Sequence, residues 1–307
     1  MRVAIIDVGT NTFNLLIAEV SKNHFKEIYG SKLPVKLGEG SINKHYIQPK
    51  AFKRGIDALK VYRKTIDKYN AEKTIALATS AIREARNGDL FIKTAKKESG
   101  IAVKKISGNE EAELIYSGIR KAVRLNNKKS LIMDIGGGST EFIIANGKKI
   151  FWKKSFLLGA ARLLDRFDPS DPITDKQIKK IENYLSKELR SLFSQAKKIQ
   201  PRELIGSSGS FESLAEMIAY RFYSPRILEG KTAYTFKLDD CKDIYSIILK
   251  STRARRLRMK GLIKMRVDMI VVSSIFVNLI VQKLNIKKIR LSTYSLKEGA
   301  ISKLFPL

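Results

Sequence analysis

Two stretches of this chain lie over each other without a gap. Residues 4–18, Ala-Ile-Ile-Asp-Val-Gly-Thr-Asn-Thr-Phe-Asn-Leu-Leu-Ile-Ala, match residues 131–145, Leu-Ile-Met-Asp-Ile-Gly-Gly-Gly-Ser-Thr-Glu-Phe-Ile-Ile-Ala, at an offset of 127, with Asp7 on Asp134, Gly9 on Gly136, Thr12 on Ser139 and Ala18 on Ala145. In each copy an apolar run ends on an aspartate, breaks at glycine and resumes, the pattern of two paired strands joined by a tight turn. With only two copies, far apart, the repeat means duplicated architecture and not a solenoid. Two domains of like fold are expected, residues 1–125 and 126–307, divided in the polar, basic segment 121–129 and sharing a cleft.

Gly136, Gly137 and Gly138 take every side chain off the tip of the second turn, so backbone N–H groups there can approach an anion closely. Asp134 and Glu141 flank the turn as hard oxygen ligands suited to Mg²⁺. A plain glycine-rich hairpin with two solvated carboxylates would be written the same way. The second copy favours a phosphate loop.

The rest of the chain reads as α/β with mixed sheets. Strands are expected at 2–8, 12–20, 24–33, 74–79 and 101–106, with helices at 49–69, where Phe52, Ile56, Leu59, Tyr62 and Ile66 recur at helical spacing, and at 90–97, stopped by Gly100. Strands at 130–135, 140–146 and 148–157 repeat the first three, followed by a helix over 159–167. Thr174 and Gln177 form a capping box for an amphipathic helix running to Lys198 through Ile181, Leu185, Leu189 and Leu192. A short strand at 203–205 turns at Gly206-Ser-Ser-Gly-Ser210 into another helix. A buried helix at 269–284, a strand at 286–291 and a helix at 294–305 close the chain.

Several polar residues fall where chemistry is expected. Arg83 stands just past a strand end, where open α/β sheets bind ligands and a guanidinium can clamp two phosphate oxygens, although a loop arginine is also an ordinary surface charge. Ser107 can cap the following helix, with Glu110 and Glu111 in its first turn, and capping alone accounts for both acids. The helical rows differ, however. Glu111 is in line with Ile115, Gly118 and Ala122, Glu110 with Leu114, Ser117 and Lys121, and Glu113 with Ser117 and Arg120. Glu111 is therefore the acid on the interior side, where a partly desolvated carboxylate can take a proton from a water attacking phosphorus. Ser208 and Gly209, at a strand-to-helix junction, suit an anion or a ribose, or simply a helix cap.

Charge adds a partner class. The chain has 59 Lys and Arg against 30 Asp and Glu, a formal net charge of +29, which attracts polyanions, unless lysine merely decorates every surface. The densest basic run, Arg253 to Arg266, reads either as a solvated helix face or as the border of a polyanion channel. One cysteine, Cys241, excludes a disulfide framework, and His24 and His45 offer no zinc spacing. The apolar stretch 269–281 is too short and too interrupted to span a bilayer, and no signal-peptide core precedes Asp7, so a soluble cytoplasmic protein is expected.

Taken in order, five motifs resemble one family. Asp7-Val-Gly-Thr-Asn-Thr12 and Asp134-Ile-Gly-Gly-Gly-Ser-Thr-Glu141 resemble the two phosphate loops of the actin, sugar-kinase and heat-shock-chaperone superfamily. Their wording is similar to that of the exopolyphosphatase/guanosine pentaphosphate phosphohydrolase family within it. Thr79-Ser-Ala-Ile-Arg-Glu-Ala85, Ser107-Gly-Asn-Glu-Glu-Ala112 and Gly206-Ser-Ser-Gly-Ser210 match further signatures, so the resemblance covers nearly the whole chain. It implies two actin-like (ribonuclease H-like) domains with mixed sheets flanked by helices, a phosphate contact at Arg83 and a catalytic base at Glu111. Arg266-Val-Asp268 resembles an Arg-x-Asp element beside the cleft, which singles out Arg266 for phosphate. Lys297-Glu-Gly299 departs from the usual Arg-Glu-Gly and weakens any claim for a bidentate contact there.

The function expected is hydrolysis of terminal orthophosphate from inorganic polyphosphate, with Mg²⁺ or Mn²⁺ positioned by Asp134 and Glu141. Gly136, Gly137, Gly138 and Ser139 would hold the terminal phosphates, and Asp7, Thr10 and Asn11 would complete the cradle. Ser208, Gly209 and Arg266 would add contacts, Arg83 would offset charge and Glu111 would activate water. Guanosine pentaphosphate is an alternative substrate, without an identifiable base pocket. Longer family members append helical domains that extend the polyphosphate channel, so short chains are expected here unless a homodimer completes it. A phosphotransferase and a non-enzymatic polyanion binder are the rivals. The latter lacks the interleaved aromatic and basic residues of a base-stacking surface, so no specific nucleic acid or membrane partner is expected.

Overall fold

The computed structural model describes residues 1–22 and 24–305. The first half contains β1 (Arg2–Val8), β2 (Thr12–Val20), β3 (Phe25–Pro34), α1 (Pro49–Lys68), β4 (Lys73–Ala78), α2 (Ser80–Glu84), α3 (Gly88–Ser99), β5 (Val103–Lys105) and α4 (Gly108–Ala122). The second contains β6 (Ser130–Ile135), β7 (Thr140–Ala145), β8 (Ile150–Phe156), α5 (Ala160–Phe167), α6 (Asp175–Glu188), α7 (Arg190–Ile199), β9 (Glu203–Ser207) and α8 (Ser208–Phe222). It continues with β10 (Ala233–Phe236), α9 (Leu238–Leu249), α10 (Arg253–Arg256), α11 (Ile270–Lys283), β11 (Ile289–Ser292) and α12 (Leu296–Leu304).

Two mixed sheets result, each flanked by helices, the actin-like arrangement. The first runs β3-β2-β1-β4-β5 and the second β8-β7-β6-β9-β11-β10. Both begin with an antiparallel meander and continue with parallel strands, and the second adds β10 at its edge. The offset of the repeat survives at the level of register: Asp7 faces Asn14 across β1 and β2, and Asp134 faces Glu141 across β6 and β7.

Three apolar layers hold the sheets. Alternate residues of β1, Ala4, Ile6 and Val8, pack outward against α1 and α3 around Leu59, Tyr62 and Phe91. Met133, Phe142 and Ile144 pack outward against the helices of the second half, including Phe276 of α11. The opposite faces, Val3, Ile5 and Leu16 from one sheet and Ile132, Ile143 and Ile205 from the other, share a central layer with α4 and α12. Strands covered on both faces lose the apolar–polar alternation, which is why Leu131–Met133 of β6 and Phe142–Ala145 of β7 read as unbroken hydrophobic runs.

The two central helices cross backbone to backbone. A Cβ on Gly299 would lie 1.7 Å from the carbonyl oxygen of Leu114, and one on Gly118 would lie 2.0 Å from that of Ser295. Only glycine permits that approach.

Elsewhere the structure departs from the sequence reading. The helix expected to reach Lys198 breaks at Leu189 into α6 and α7, and because Leu189 stays buried through the break, apolar spacing does not register it. β10 and α9 were not expected at all. The basic run is not one solvated helix face: α10 is followed by a turn through Gly261 at φ 81°, and Arg256 is buried in an ion pair with Asp171 at 2.8 Å. Among the described residues, no helix is long and apolar enough to cross a membrane.

Gly299→Ala should cost more than about 2 kcal/mol, since overpacking against backbone has no flexible side chain to relieve it. Urea denaturation read by far-ultraviolet circular dichroism checks this, and an unchanged midpoint would show that α4 and α12 can part without loss.

Candidate active site

The two repeated turns meet tip to tip between the sheets. Their carbonyls are held from behind. Thr10 O accepts from the N–H of Gly38, and Asn11 O from those of Val35 and Lys36. Gly136 O accepts from Ala160 N–H, Gly137 O from Ala161 and Arg162 N–H, and Gly138 O from Arg162 Nε at 3.0 Å. With the oxygens turned outward, the amides of the tips face the cleft, as in an anion-binding nest.

The glycine triplet is required for proximity, because none of the three residues has positive φ. A Cβ on Gly138 would lie 2.5 Å from Thr10 Oγ1 and 2.7 Å from Ser80 Oγ, and one on Gly137 would lie 3.1 Å from Thr10 Cβ. Thr10 Oγ1, Asn11 Nδ2 and Ser80 Oγ are buried beside the triplet without a hydrogen-bond partner among the described residues. Such groups are costly when left unpaired, and phosphate oxygens would satisfy all three.

Carboxylates line the floor. Asp134 accepts from Ser207 Oγ at 2.6 Å, from Ser208 Oγ at 2.7 Å and from Ser295 Oγ. Glu141, opposite it, accepts from Ser155 Oγ at 2.6 Å, and Asp7 accepts from Asn14 Nδ2 at 3.0 Å. Glu111 accepts from Arg83 Nη1 at 2.8 Å, while Arg83 also donates to Ile106 O and Glu84. The capping box of α4 explains the division of labour between neighbouring acids: Glu110 turns back to the N–H of Ser107, and Glu111 points inward.

Burial pushes these acids up. Glu111 rises to about 7 because desolvation outweighs the attraction of Arg83, and Asp7 rises to about 6 through desolvation against the pull of Lys297. Glu141 is raised well above the usual carboxylate range by burial and by its neighbours Glu111 and Asp134. An all-oxygen set of mutually repelling acids fits a hard divalent cation. Among the described residues, no three acidic, histidine or cysteine side chains stand close enough to ligate an ion alone. The protein would supply Asp134 and Glu141, with water and phosphate oxygens completing the shell.

The far wall is the start of α8. β9 runs straight into it, with Ser208 at φ 68° and no side chain capping the helix. A Cβ on Gly209 would lie 2.0 Å from Arg266 Nη2, so the glycine is what lets the buried guanidinium rest against this helix terminus. Burial lowers the Arg266 pKa, and its Nε has no partner among the described residues.

One cleft, open to solvent, is thus lined by Asp7, Thr10, Asn11, Glu111, Asp134, Gly136, Gly137, Gly138, Ser139, Ser208, Gly209 and Arg266. Arg83 and Glu141 stand behind that lining, Arg83 acting on it through Glu111. Sequence reasoning missed Asn14, Lys32, Ser80, Glu212, Ser295 and Lys297, which also line the cleft or touch its acids. Asn14 was legible as the counterpart of Glu141 in the repeat, and Ser295 as the capping partner of Glu298. Lys297, discounted for want of a bidentate group, is half-buried and close enough to Asp7 for each to shift the other's pKa.

Duplicated sheets enclosing glycine turns, unpaired donors and buried acids make a cleft whose chemistry suits an anion, within a fold of the actin-like class. The chain belongs to the Ppx/GppA phosphatase family, whose model matches residues 16–306, and is a phosphatase-type hydrolase. It is 26% identical over 299 residues to a putative exopolyphosphatase of Haemophilus influenzae, covering 97% of this chain and 90% of that protein. It is 41% identical over 172 residues to a bifunctional 3-dehydroquinate synthase/phosphatase of Fusobacterium nucleatum, a match to 53% of this chain and 26% of that much longer protein. The fold superposes on the crystal structure of an exopolyphosphatase from Cytophaga hutchinsonii with a TM-score of 0.95, 38% identity and coverage of 99% and 97% of the two chains.

Raised carboxyls carry a stability signature. Between about pH 4 and pH 7 the folded state binds more protons at Asp7 and Glu111 than the unfolded state does, so stability contributed by these groups falls as pH rises through that window. In EDTA, Glu111→Gln should have the higher melting temperature at pH 8, with the gap closing toward pH 5. Differential scanning fluorimetry reads this directly, and a gap independent of pH would contradict the assignment.

Proposed function

We propose that this protein is an exopolyphosphatase, releasing terminal orthophosphate from inorganic polyphosphate by attack of water. The observation that carries the reading is Glu111, a buried acid poised near neutrality beside the glycine turn and held by Arg83. The names of the relatives support the substrate class, and the positive excess favours a linear polyanion.

Residues 1–125 and 126–307 serve as two lobes on either side of the substrate. N–H groups of both turns, with Thr10, Asn11, Ser80 and Ser139, hold the terminal phosphoryl group. Mg²⁺ or Mn²⁺ held by Asp134 and Glu141, when bound, supplies charge neutralisation at the phosphoryl oxygens. Glu111 takes a proton from the water that attacks in line, and Arg83 keeps its carboxylate oriented and partly ionised despite burial. Ser207, Ser208 and Ser295 fix the orientation of Asp134 by donating to it. Ser208, Gly209 and Arg266 receive the chain beyond the reacting group.

Glu111→Gln should lower orthophosphate release by roughly 10²- to 10⁴-fold while retaining polyphosphate binding. Release is measured on short polyphosphate, long polyphosphate and guanosine pentaphosphate, each with Mg²⁺ and with EDTA. Undiminished release by the variant removes the proposed base, and turnover of guanosine pentaphosphate alone reassigns the substrate. The pH–rate profile gives a second check. Activity should climb through about pH 7, and in Arg83→Met the climb should move to higher pH, because the lost cation had been lowering the Glu111 pKa.

A further inference from the structure

The mouth of the cleft is crossed by a pair that the mechanism above does not use. Lys32 on β3 and Glu212 on α8 come from different halves of the chain, and their side chains meet with Nζ 2.7 Å from Oε2. These side chains are 47% and 27% exposed, whereas Thr10, Ser80, Glu111, Asp134 and Ser139 behind them are buried. Glu212 lies one helical turn beyond Gly209, against which Arg266 rests. Burial works to raise the Glu212 carboxyl, but the fields of Lys32, Lys297 and Arg266 outweigh it and hold the group below the usual range. Lys32 thus touches Glu212, and Arg266 and Lys297, from two further segments, line the same cleft around it. The geometry is that of a site for an anion carrying more charge than one carboxylate.

We propose that Glu212 is a resident substitute for substrate, occupying an anion subsite of Lys32, Arg266 and Lys297 that receives an inner phosphoryl group of a polyphosphate chain. The chain displaces the carboxylate and takes over its cations. The identity of the chain rests on the exopolyphosphatase reading, whereas the subsite itself does not. Glu212 competes with every chain that reaches the mouth, and orthophosphate held only at the turns does not meet it. Affinity at this point therefore discriminates by length and charge.

Glu212→Gln keeps the shape of the competitor and removes its charge. KM for tripolyphosphate and longer chains should fall roughly tenfold, as expected for relief of one charge-assisted contact, while product inhibition by orthophosphate stays the same. Lys32→Gln, at an exposed position, should raise KM by a similar factor. Opposite signs are decisive, because a simple clasp between β3 and α8 would be broken by either substitution and both would move KM the same way. A second measurement needs no turnover: by calorimetry, Glu111→Gln/Glu212→Gln should bind tripolyphosphate more tightly than Glu111→Gln. Equal or weaker binding overturns the subsite even if the wild type is an active exopolyphosphatase. Tighter binding in a protein that releases no phosphate upholds the subsite and rejects the hydrolase reading.

Discussion

The glycine-to-glycine crossing of α4 and α12 sets the distance on which the cleft depends. With bulkier residues at Gly118 and Gly299 the helices would stand farther apart, and the sheets packed on either side of them would follow. The turns of β1–β2 and β6–β7 touch through atoms as close as a missing methyl group allows, so a small separation of the sheets would open the cradle. The same helices also bring side chains to the cleft at their N-terminal ends. α4 presents Glu111 in its first turn, and α12 begins beside Ser295 and Lys297. The spacer between the halves is thus also a source of the proposed base and of one of the cations.

That economy explains why two neighbouring acids have different fates. Glu110 satisfies the capping box of α4 and lies in solvent, with its carboxyl held low chiefly by the backbone N–H of Ser107. Glu111, one residue on, is turned through about 100° into the interior. There desolvation sets its pKa, and Arg83 limits the rise. Removing water from a carboxylate and then restoring one cation is a way to obtain a base of near-neutral pKa, whereas a fully compensated or fully exposed acid would stay near 4.

How far the sequence reveals this depends on the range of the interaction. The duplicated hairpins were legible because period-two hydrophobicity, glycine and aspartate repeat together at one offset, and Glu111 was legible because its helical row is apolar. The break at Leu189, the strand β10 and the helix α9 were not, since local pattern is silent where tertiary packing decides a boundary. Lys297 illustrates a second limit. Judged as a guanidinium it was deficient, yet an ammonium needs only proximity to compensate Asp7 and Glu298, and proximity is supplied by a helix that arrives some 290 residues later in the chain. The serines around Asp134 show the same thing, gathered from β9, α8 and the approach to α12.

The charge of the cleft opposes that of the protein as a whole. Against a formal net charge of +29, its lining carries Lys32, Arg266 and Lys297 facing Asp7, Glu111, Asp134 and Glu212. Surface charge can therefore capture a polyanion at long range, but the floor that meets its reacting end has no positive excess of its own. On the reading advanced here, the terminal phosphoryl group reaches the turns only with cations that neutralise it, from the protein at the mouth and from bound metal at the floor. Backbone amides then fix its position without adding charge. This division leaves Glu111 with Arg83 as its one ion-pair partner among the described residues, so that its pKa stays raised by burial, the condition a buried base requires.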